Sequence, residues 1–208
     1  VRAGDTVNTL TRKIKVATLL GTIQSTFTNF GYLRKVWQDN TEEERLLGVS
    51  LTGIMDSELL NGKEAGLAKT LEKLKKVAVD CNKEYAEKFG INQSTAITCV
   101  KPSGTVSQLV DSASGIHARH NPYYIRTVRG DKKDPLTEFL KASGIPSEDD
   151  KMKPDHTTVF SFPMMAPKGS VCRTDMTAIQ QLEMWKIYAK HWCEHKPSVT
   201  ISVKEEEW

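Results

Sequence analysis

The sequence predicts an α/β fold in which strands alternate with helices and build a mostly parallel sheet. Two long segments, 5–30 and 61–89, carry apolar residues at a spacing near 3.6, which is typical of amphipathic helices. Short runs rich in β-branched residues lie between the helical segments, which is the order expected of βαβ units. In folds of this kind, ligands bind beyond the carboxyl ends of the strands.

Length and composition narrow the class of protein. The chain has 208 residues, of which 38% are hydrophobic and 26% charged, as is ordinary for a globular protein. Its net charge of +3 gives no argument for nucleic acid or a membrane as a partner. No apolar run reaches the ~18 residues that span a bilayer, and the N-terminus is polar, so we expect a cytoplasmic protein.

The first half of the chain divides into helix, linker, strand and helix. The segment 5–30 is the first predicted helix, 29–40 is a predicted linker, 46–54 a strand and 61–89 the second helix, which Gly90 is expected to cap. The inward stripe predicted for the first helix is Val7, Leu10, Ile14, Ala17, Leu20 and Phe27, widened by Ile23. The stripe predicted for the second is Leu67, Leu71, Leu74, Ala78, Cys81 and Tyr85.

The second half carries two shorter helices among four strands. The predicted strands are 95–100, 123–129, 157–162 and 198–203, the third of which we expect Pro163 to end. The helix 135–142 has Asp134 as its expected N-cap and Gly144 as its stop. The helix 175–193 is predicted to face inward through Met176, Ile179, Leu182 and Ile187.

A turn after the strand 95–100 is the candidate binding site. Pro102 has no N–H to donate, so it ends the strand. Ser103, Gly104 and Thr105 then suit a tight turn at a helix start, where backbone N–H groups can hold a phosphate. Lys101 could add a full positive charge. The alternative is an ordinary capped turn, because no Walker-type or dinucleotide glycine spacing is present.

Two other segments contain side chains that are candidates for metal ligation or for ligand binding. His191 and His195 share a helix face while Cys193 points away, so one face offers two ligands and zinc needs at least three. We therefore interpret 191–195 as a helix end and expect no metal. The segment 114–124 concentrates His, Arg and Tyr side chains. It could form a wall of a binding site or a surface loop, and both interpretations stay open.

The four cysteines stand far apart and form no CxxC pair. We expect reduced thiols rather than a disulfide or a zinc site. Cys81 and Cys99 lie on apolar patterns and are predicted to be core residues. Cys172, beside Arg173, is predicted to be the most exposed of the four.

Several ordered motifs of this chain resemble one enzyme family. The segments 101–109, 114–117 and 122–126 are similar to those of the adenosylcobalamin-dependent (class II) ribonucleotide reductases. The segments 45–54 and 191–200 are also similar to that family. The resemblance therefore covers nearly the whole chain.

This resemblance implies a fold, a reaction and a site. The family folds as a ten-stranded α/β barrel with a thiyl-radical cysteine on an inner finger loop, and this chain would be a partial barrel of that type. Its substrate would be a ribonucleoside di- or triphosphate, its cofactor adenosylcobalamin, and its reductant an external dithiol such as thioredoxin. The family's loop implies substrate-phosphate binding by Ser103, Gly104, Thr105, Val106 and Ser107.

The family's finger-loop motif, Asn-Pro-Cys-Gly-Glu, does not occur in this sequence, so we assign no catalytic residue to it. The chain begins with Val1 and ends directly after an apolar run. We therefore expect residues 1–208 to be one fragment of a catalytic barrel domain, from its C-terminal part and inactive alone. Such a fragment needs the remainder of the barrel as its partner. Two alternatives remain, a class I-type reductase fragment and a stand-alone nucleotide-binding or phosphate-binding module.

A partial barrel would expose an apolar inner face. We therefore expect a homodimer, or a rearrangement that buries this face, because large apolar patches are unstable in water. The residues expected on the exposed face are Leu47, Val49, Leu51, Ile97, Cys99, Val159 and Val199.

Overall fold

The computed structural model describes all residues from 1 to 208. The chain divides into two units, one made of residues 1–119 and 168–208 and the other of residues 120–167. The five strands form two separate sheets, of two and three strands, rather than a closed ten-stranded barrel. None of the six α-helices combines the length and the apolar character needed to cross a membrane.

Two long helices pack against each other in the first unit. Helix α1 is Val7–Gln24, which begins at a capping box formed by Thr6 and Thr9, and helix α3 is Leu67–Phe89, which ends at Gly90 with φ +66°. The stripe predicted for α3 is confirmed from Leu67 to Cys81. Its buried residues are Leu67, Leu71, Leu74, Ala78, Cys81, Asn82 and Ala86.

The stripe predicted for α1 is wrong in its second half. Leu20 and Phe27 are 61% and 70% exposed, whereas Thr18 and Thr22 are fully buried. Polar partners explain the burial of Thr22, because its hydroxyl donates to the Thr18 carbonyl at 2.8 Å and accepts the Asn82 amide at 3.0 Å, whereas the Thr18 hydroxyl is buried without a partner. A threonine with the hydrogen bonds of Thr22 can occupy a core position for which the apolar pattern predicts a larger side chain.

Part of the predicted linker is helix α2, Lys35–Glu44, which ends at Arg45 in the left-handed region with φ +47°. The next two strands are β1, Val49–Ser50, and β2, Thr98–Cys99. They pair in parallel with Val49 opposite Thr98, and α3 connects them, so the parallel βαβ prediction is confirmed here. One hydrogen bond extends the pairing at each end, from the Leu47 N–H to the Ala96 carbonyl and from the Leu51 N–H to the Cys99 carbonyl.

Helix α6, Ala178–His191, buries a different face from the predicted one. Its buried residues are Gln181, Met184 and Tyr188, whereas Ile179 and Leu182 are 65% and 45% exposed. The Tyr188 hydroxyl donates to the Leu60 carbonyl at 2.9 Å, which lets an aromatic side chain with a polar end occupy the core. The predicted strand 198–203 does not form, and a 3₁₀ turn, Glu205–Glu207, follows it.

The second unit is an antiparallel sheet with one helix. Strands β3, Tyr123–Asp131, β4, Ser147–Asp149, and β5, Thr157–Met165, lie in the order β3-β5-β4, and helix α5 is Pro135–Ala142. Every pair in this sheet is antiparallel, so the prediction of a mostly parallel sheet is wrong for this unit.

Two details of the second unit bear on the sequence predictions. Asp134 caps α5 as predicted, since its carboxylate accepts the Leu136 N–H at 2.9 Å. Pro163 lies inside β5 opposite Ile125 instead of ending the strand. It is tolerated because β4 pairs only with Thr158–Phe160, so β5 has a free edge at Pro163.

The apolar face predicted to be exposed is mostly buried within the chain itself. Of the residues expected on it, Val49, Leu51, Ile97, Cys99 and Val159 are at most 7% exposed. Large apolar side chains are exposed at many other places in both units, and several of them lie on α1 and in the segment that follows it. They include Leu20, Phe27, Leu33 and Trp37.

Candidate functional site

The segment Ser103–Ser107 forms a turn directly after β2, as predicted from Pro102. The turn leaves the sheet at Lys101, whose N–H donates to the Ser50 hydroxyl at 2.9 Å. It leads into helix α4, Val106–Leu109, which is a single turn. The predicted helix start is therefore present, but a helix of four residues has too few aligned peptides for a substantial macrodipole.

The two serines of the turn hold its shape. The Ser103 hydroxyl accepts the Ser107 N–H at 2.9 Å, and the Ser107 hydroxyl donates back to the Ser103 carbonyl. Ser107 is fully buried, and its hydroxyl also accepts the Gln108 amide at 3.1 Å. These bonds engage both serine side chains within the protein and close the turn at its base.

The three residues between the serines form the exposed tip of the turn. The N–H groups of Gly104, Thr105 and Val106 donate to no acceptor in the chain. A Cβ atom at Gly104 would have no neighbour within 4 Å, so the tip is open at this position. Lys101 is exposed at the base of the turn, and its ammonium forms no salt bridge. Consecutive free N–H groups beside a cation can bind an anion.

A neighbouring segment, 112–115, holds both ends of the turn. The Ser112 N–H donates to the Ser107 carbonyl at 2.8 Å, and the Ser114 hydroxyl accepts the Ser103 N–H at 3.1 Å. Gly115 approaches the base of the turn closely, with φ +53°, and a Cβ atom there would lie 2.8 Å from the Lys101 carbonyl oxygen. The site therefore consists of an open tip on a tightly bonded base.

A buried ion pair fixes the middle of this segment. The Asp56 carboxylate accepts the Ala113 N–H at 2.7 Å and two hydrogen bonds from the Arg119 guanidinium, at 2.9 and 2.8 Å. The Ser170 hydroxyl donates to the same carboxylate at 3.0 Å. Asp56 and Arg119 are 2% and 4% exposed, so this charge pair is buried and well bonded. The sequence interpretation missed Asp56, which follows a predicted strand without any motif of its own.

The structure assigns bonding roles to two residues of the segment 114–124. His117 Nδ1 lies 3.0 Å from the Ser114 carbonyl oxygen, and its Nε2 accepts the Thr200 N–H at 3.1 Å. Because Nε2 accepts a hydrogen bond, Nδ1 is the nitrogen that donates to the Ser114 carbonyl. His117 and Arg119 both support the loop from within the protein, which favours the structural interpretation for these two side chains.

The segment 191–195 is bonded along the edge of β2. The Glu194 carboxylate accepts the N–H groups of Ile97 and Thr98, the latter at 2.8 Å, and the Glu194 N–H donates to the Thr98 carbonyl at 3.0 Å. The Trp192 indole donates to the Cys99 carbonyl at 2.7 Å. The residues that follow α6 therefore satisfy polar groups of β2 that β1 does not. This agrees with the interpretation of 191–195 as a helix end, since α6 ends at His191.

His191 and Cys193 have different environments. His191 Nδ1 lies 2.7 Å from a carboxylate oxygen of Glu72, and Cys193 is buried. No three His, Cys, Asp or Glu side chains of the chain lie close enough together to hold a metal ion.

All four cysteines are free and buried. Burial confirms the core prediction for Cys81 and Cys99 and corrects that for Cys172, which is 3% exposed because residues 171–173 pair with Arg119. Burial raises the pKa of the Cys81, Cys99 and Cys172 thiols. It raises the pKa of Cys193 to about 12. None of the four thiols therefore has thiolate character near neutral pH.

Comparisons with known proteins identify the relatives of this chain. No family model matches it. It is 28% identical to an adenosylcobalamin-dependent ribonucleoside-triphosphate reductase of Lactobacillus gasseri, over 79% of the chain and 26% of that protein. It is 29% identical to the enzyme of the same name from Euglena gracilis, over 82% of the chain and 24% of that protein.

A solved structure supports the same relationship at the level of the fold. A crystal structure of a B12-dependent (class II) ribonucleotide reductase matches with a TM-score of 0.77 and 24% identity, over 90% of this chain and 30% of that one. The chain thus spans about a quarter of the length of the curated relatives it matches. Over most of its length the chain is a homologue of the adenosylcobalamin-dependent ribonucleoside-triphosphate reductases.

Proposed function

We propose that this chain supplies the substrate-phosphate loop of an adenosylcobalamin-dependent ribonucleotide reductase. In that role the whole enzyme converts ribonucleotides to deoxyribonucleotides by thiyl-radical chemistry. The observation that carries the proposal is the row of three unpaired backbone N–H groups at Gly104, Thr105 and Val106, in a chain homologous to such reductases. The names of the relatives favour this type of reductase over a class I-type fragment or a stand-alone binding module.

The turn binds phosphate through its backbone. Phosphoryl oxygens accept hydrogen bonds from the free N–H groups of residues 104–106, and the exposed Lys101 adds a positive charge. Ser103 and Ser107 contribute by holding the turn, since the side chain of each serine is hydrogen-bonded to the backbone of the other. We propose a ribonucleoside triphosphate as the substrate, in line with the names of the relatives.

The radical chemistry belongs to parts of the enzyme outside this chain. None of the four buried cysteines is followed by Gly-Glu, and their pKa values are raised. We therefore assign the residues of this chain no step of the adenosylcobalamin chemistry.

The remaining partners are part of the same proposal. We propose that residues 1–208 form one piece of a catalytic barrel completed by the rest of the enzyme. An external dithiol such as thioredoxin reduces that enzyme, which works in the cytoplasm, and a homodimer is its proposed assembly. The purified chain should form no deoxynucleotide from a ribonucleoside triphosphate with adenosylcobalamin and a dithiol. Turnover by the chain alone would contradict the proposal that the radical chemistry takes place in other parts of the enzyme.

Binding of inorganic tripolyphosphate tests the loop directly. We expect titration to shift the backbone amide resonances of residues 104–106 more than any others. Gly104→Ala should weaken binding because a methyl group at the tip limits how closely a phosphate can approach the backbone, while it meets no protein atom. Gly31→Ala is the matched control, since Gly31 is also exposed with open space around it. Equal affinities of the two variants, or resonance shifts confined to other residues, would contradict the proposal.

A further inference from the structure

Two residues flanking Ala113 tie down opposite ends of the phosphate turn. The Ser112 N–H donates to the Ser107 carbonyl at 2.8 Å, at the C-terminal end of the turn. The Ser114 hydroxyl accepts the Ser103 N–H at 3.1 Å, at the N-terminal end. The backbone position of Ala113 therefore sets both ties at once.

Asp56 fixes Ala113 from the buried side. Its carboxylate accepts the Ala113 N–H at 2.7 Å, and Arg119 holds that carboxylate through two hydrogen bonds. The Ala113 carbonyl in turn accepts the Gly53 N–H at 2.7 Å and the Thr52 hydroxyl at 3.1 Å. Both the N–H and the carbonyl of Ala113 are thus held by the segment that follows β1.

The charges in this network match its position near an anion. The Asp56 carboxylate would repel a phosphate if it stood alone, but the Arg119 guanidinium neutralises it at hydrogen-bond distance. The exposed Asp111 carboxylate also lies 3.7 Å from a guanidinium nitrogen of Arg119. The network can therefore brace the turn without a net negative charge inside the protein.

We infer that Asp56 and Ser114 are positioning residues for phosphate binding, which act through the segment 112–114 and never touch the ligand. Ser114 withdraws the Ser103 N–H from the surface of the turn and fixes its first residue. Asp56 fixes the segment that carries Ser114. Together they leave the N–H groups of residues 104–106 unpaired and held in one arrangement, which reduces the ordering cost when an anion binds. This inference rests on the proposed phosphate role of the turn.

Substitutions at Ser114 test the inference with tripolyphosphate as the probe. Ser114→Ala removes the tie, and we expect affinity to fall about fivefold to tenfold, the equivalent of one lost hydrogen bond. Ser114→Thr keeps a hydroxyl and should restore most of the affinity. Ser25→Ala is the matched control, because Ser25 is half-buried but its hydroxyl bonds only within α1 and its end. The melting temperatures of all three variants show whether a change in affinity reflects lost folding.

The pattern of outcomes separates this inference from the proposed function. Loss of binding in Ser114→Ala with recovery in Ser114→Thr, at similar melting temperatures, supports positioning by Ser114. If the wild-type chain binds at residues 104–106 and Ser114→Ala binds equally well, the inference is wrong and the proposed function stands. If the wild-type chain does not bind there, the proposed function itself is wrong.

Asp56→Asn extends the test to the buried side. The amide keeps the size of the side chain but removes the charge that faces Arg119. A folded Asp56→Asn variant should bind tripolyphosphate at least fivefold more weakly, with altered amide resonances at Ser112 and Ser114 in its free form. A folded variant with wild-type affinity would contradict the role of Asp56. If this variant does not fold, the Ser114 pair decides the inference.

Discussion

Glu194 replaces a missing strand neighbour for Thr98. One oxygen of its carboxylate accepts the Thr98 N–H at 2.8 Å and also the Ile97 N–H, while the Glu194 N–H donates to the Thr98 carbonyl at 3.0 Å. The edge of β2 that does not pair with β1 is thereby satisfied by one acidic residue that follows α6. The turn that we propose binds phosphate begins at Ser103, four residues after Cys99, so this anchor also supports the site.

Removal of this carboxylate should destabilise the first unit. Glu194→Ala leaves two backbone N–H groups of β2 without their acceptor, and we expect a loss of about 2–4 kcal/mol in the free energy of unfolding. Urea unfolding followed by tryptophan fluorescence measures it. Glu84→Ala, which removes an exposed partner of Lys88, is the control and should cost at most about 0.5 kcal/mol. Equal effects of the two variants would show that the Glu194 anchor is unimportant.

The same carboxylate should make stability depend on pH. Burial alone raises the pKa of Glu194, but hydrogen bonds from Thr98 and Ile97 and the attraction of Lys75 outweigh it, so the pKa lies below its ordinary value of 4.5. Because the folded pKa is lowered, the stabilisation is present above the ordinary value and is lost as pH falls through the folded value. Urea unfolding between about pH 7 and about pH 3 should show a smaller acid loss in Glu194→Gln than in the wild type.

The Asp56–Arg119 and Asp150–Arg129 pairs should differ greatly in their contribution to the free energy of unfolding. Arg119→Met leaves the Asp56 carboxylate buried without its cation, and we expect a loss of about 3–5 kcal/mol. Arg129→Met removes one partner of the buried Asp150, but Arg129 is 67% exposed and two backbone N–H groups still hold the carboxylate, so the loss should be about 1 kcal/mol or less. Chemical unfolding of both variants checks the contrast. A similar loss in both would mean that burial does not set the strength of the Asp56–Arg119 pair.

The two glycines around the turn should respond differently to alanine. Gly115→Ala places a methyl group 2.8 Å from the Lys101 carbonyl oxygen at a φ of +53°, so it should lower the melting temperature by several degrees. The same change should weaken tripolyphosphate binding, because it displaces the base of the turn. Gly104→Ala should leave the melting temperature unchanged. Differential scanning fluorimetry distinguishes the two, and an unchanged melting temperature for Gly115→Ala would contradict the close approach.

The four thiols should be unreactive in the folded chain. Burial raises the pKa of each, to about 12 for Cys193, so thiolate is scarce at neutral pH and access is blocked. A chromogenic disulfide reagent should modify less than one thiol per chain in native buffer and all four in denaturant. Fast modification of Cys172 in the native chain would contradict its burial.

The sequence predicted elements with strong local signals. Pro102 and the small residues after it located the turn, and the regular leucine spacing of α3 located its buried face. The inward face of α6 was missed because Tyr188 and Trp192 enter the core by bonding distant carbonyls, which an apolar pattern does not record. Asp56 was missed for a related reason.

The hydrogen-bond partner of Asp56, Arg119, is 63 residues away in the sequence, and no spacing rule connects the two. The antiparallel sheet of the second unit was missed because an alternation of strands and helices does not fix strand direction. The prediction that Pro163 ends its strand was wrong because β4 is short. The edge of β5 at Pro163 is therefore unpaired, and the sequence does not reveal how far β4 extends.

The bonds made by the end of α6 bear on the order in which this protein folds during synthesis. Glu194 follows its partner Thr98 by 96 residues, and Trp192 follows Cys99 by 93. At ordinary translation rates those residues emerge roughly 5–20 s after β2 does. Throughout that interval the β2 edge has neither its carboxylate nor its indole donor. The nascent chain must therefore pass through a state with an unpaired strand edge, and a chaperone that shields such edges would act on it in this window.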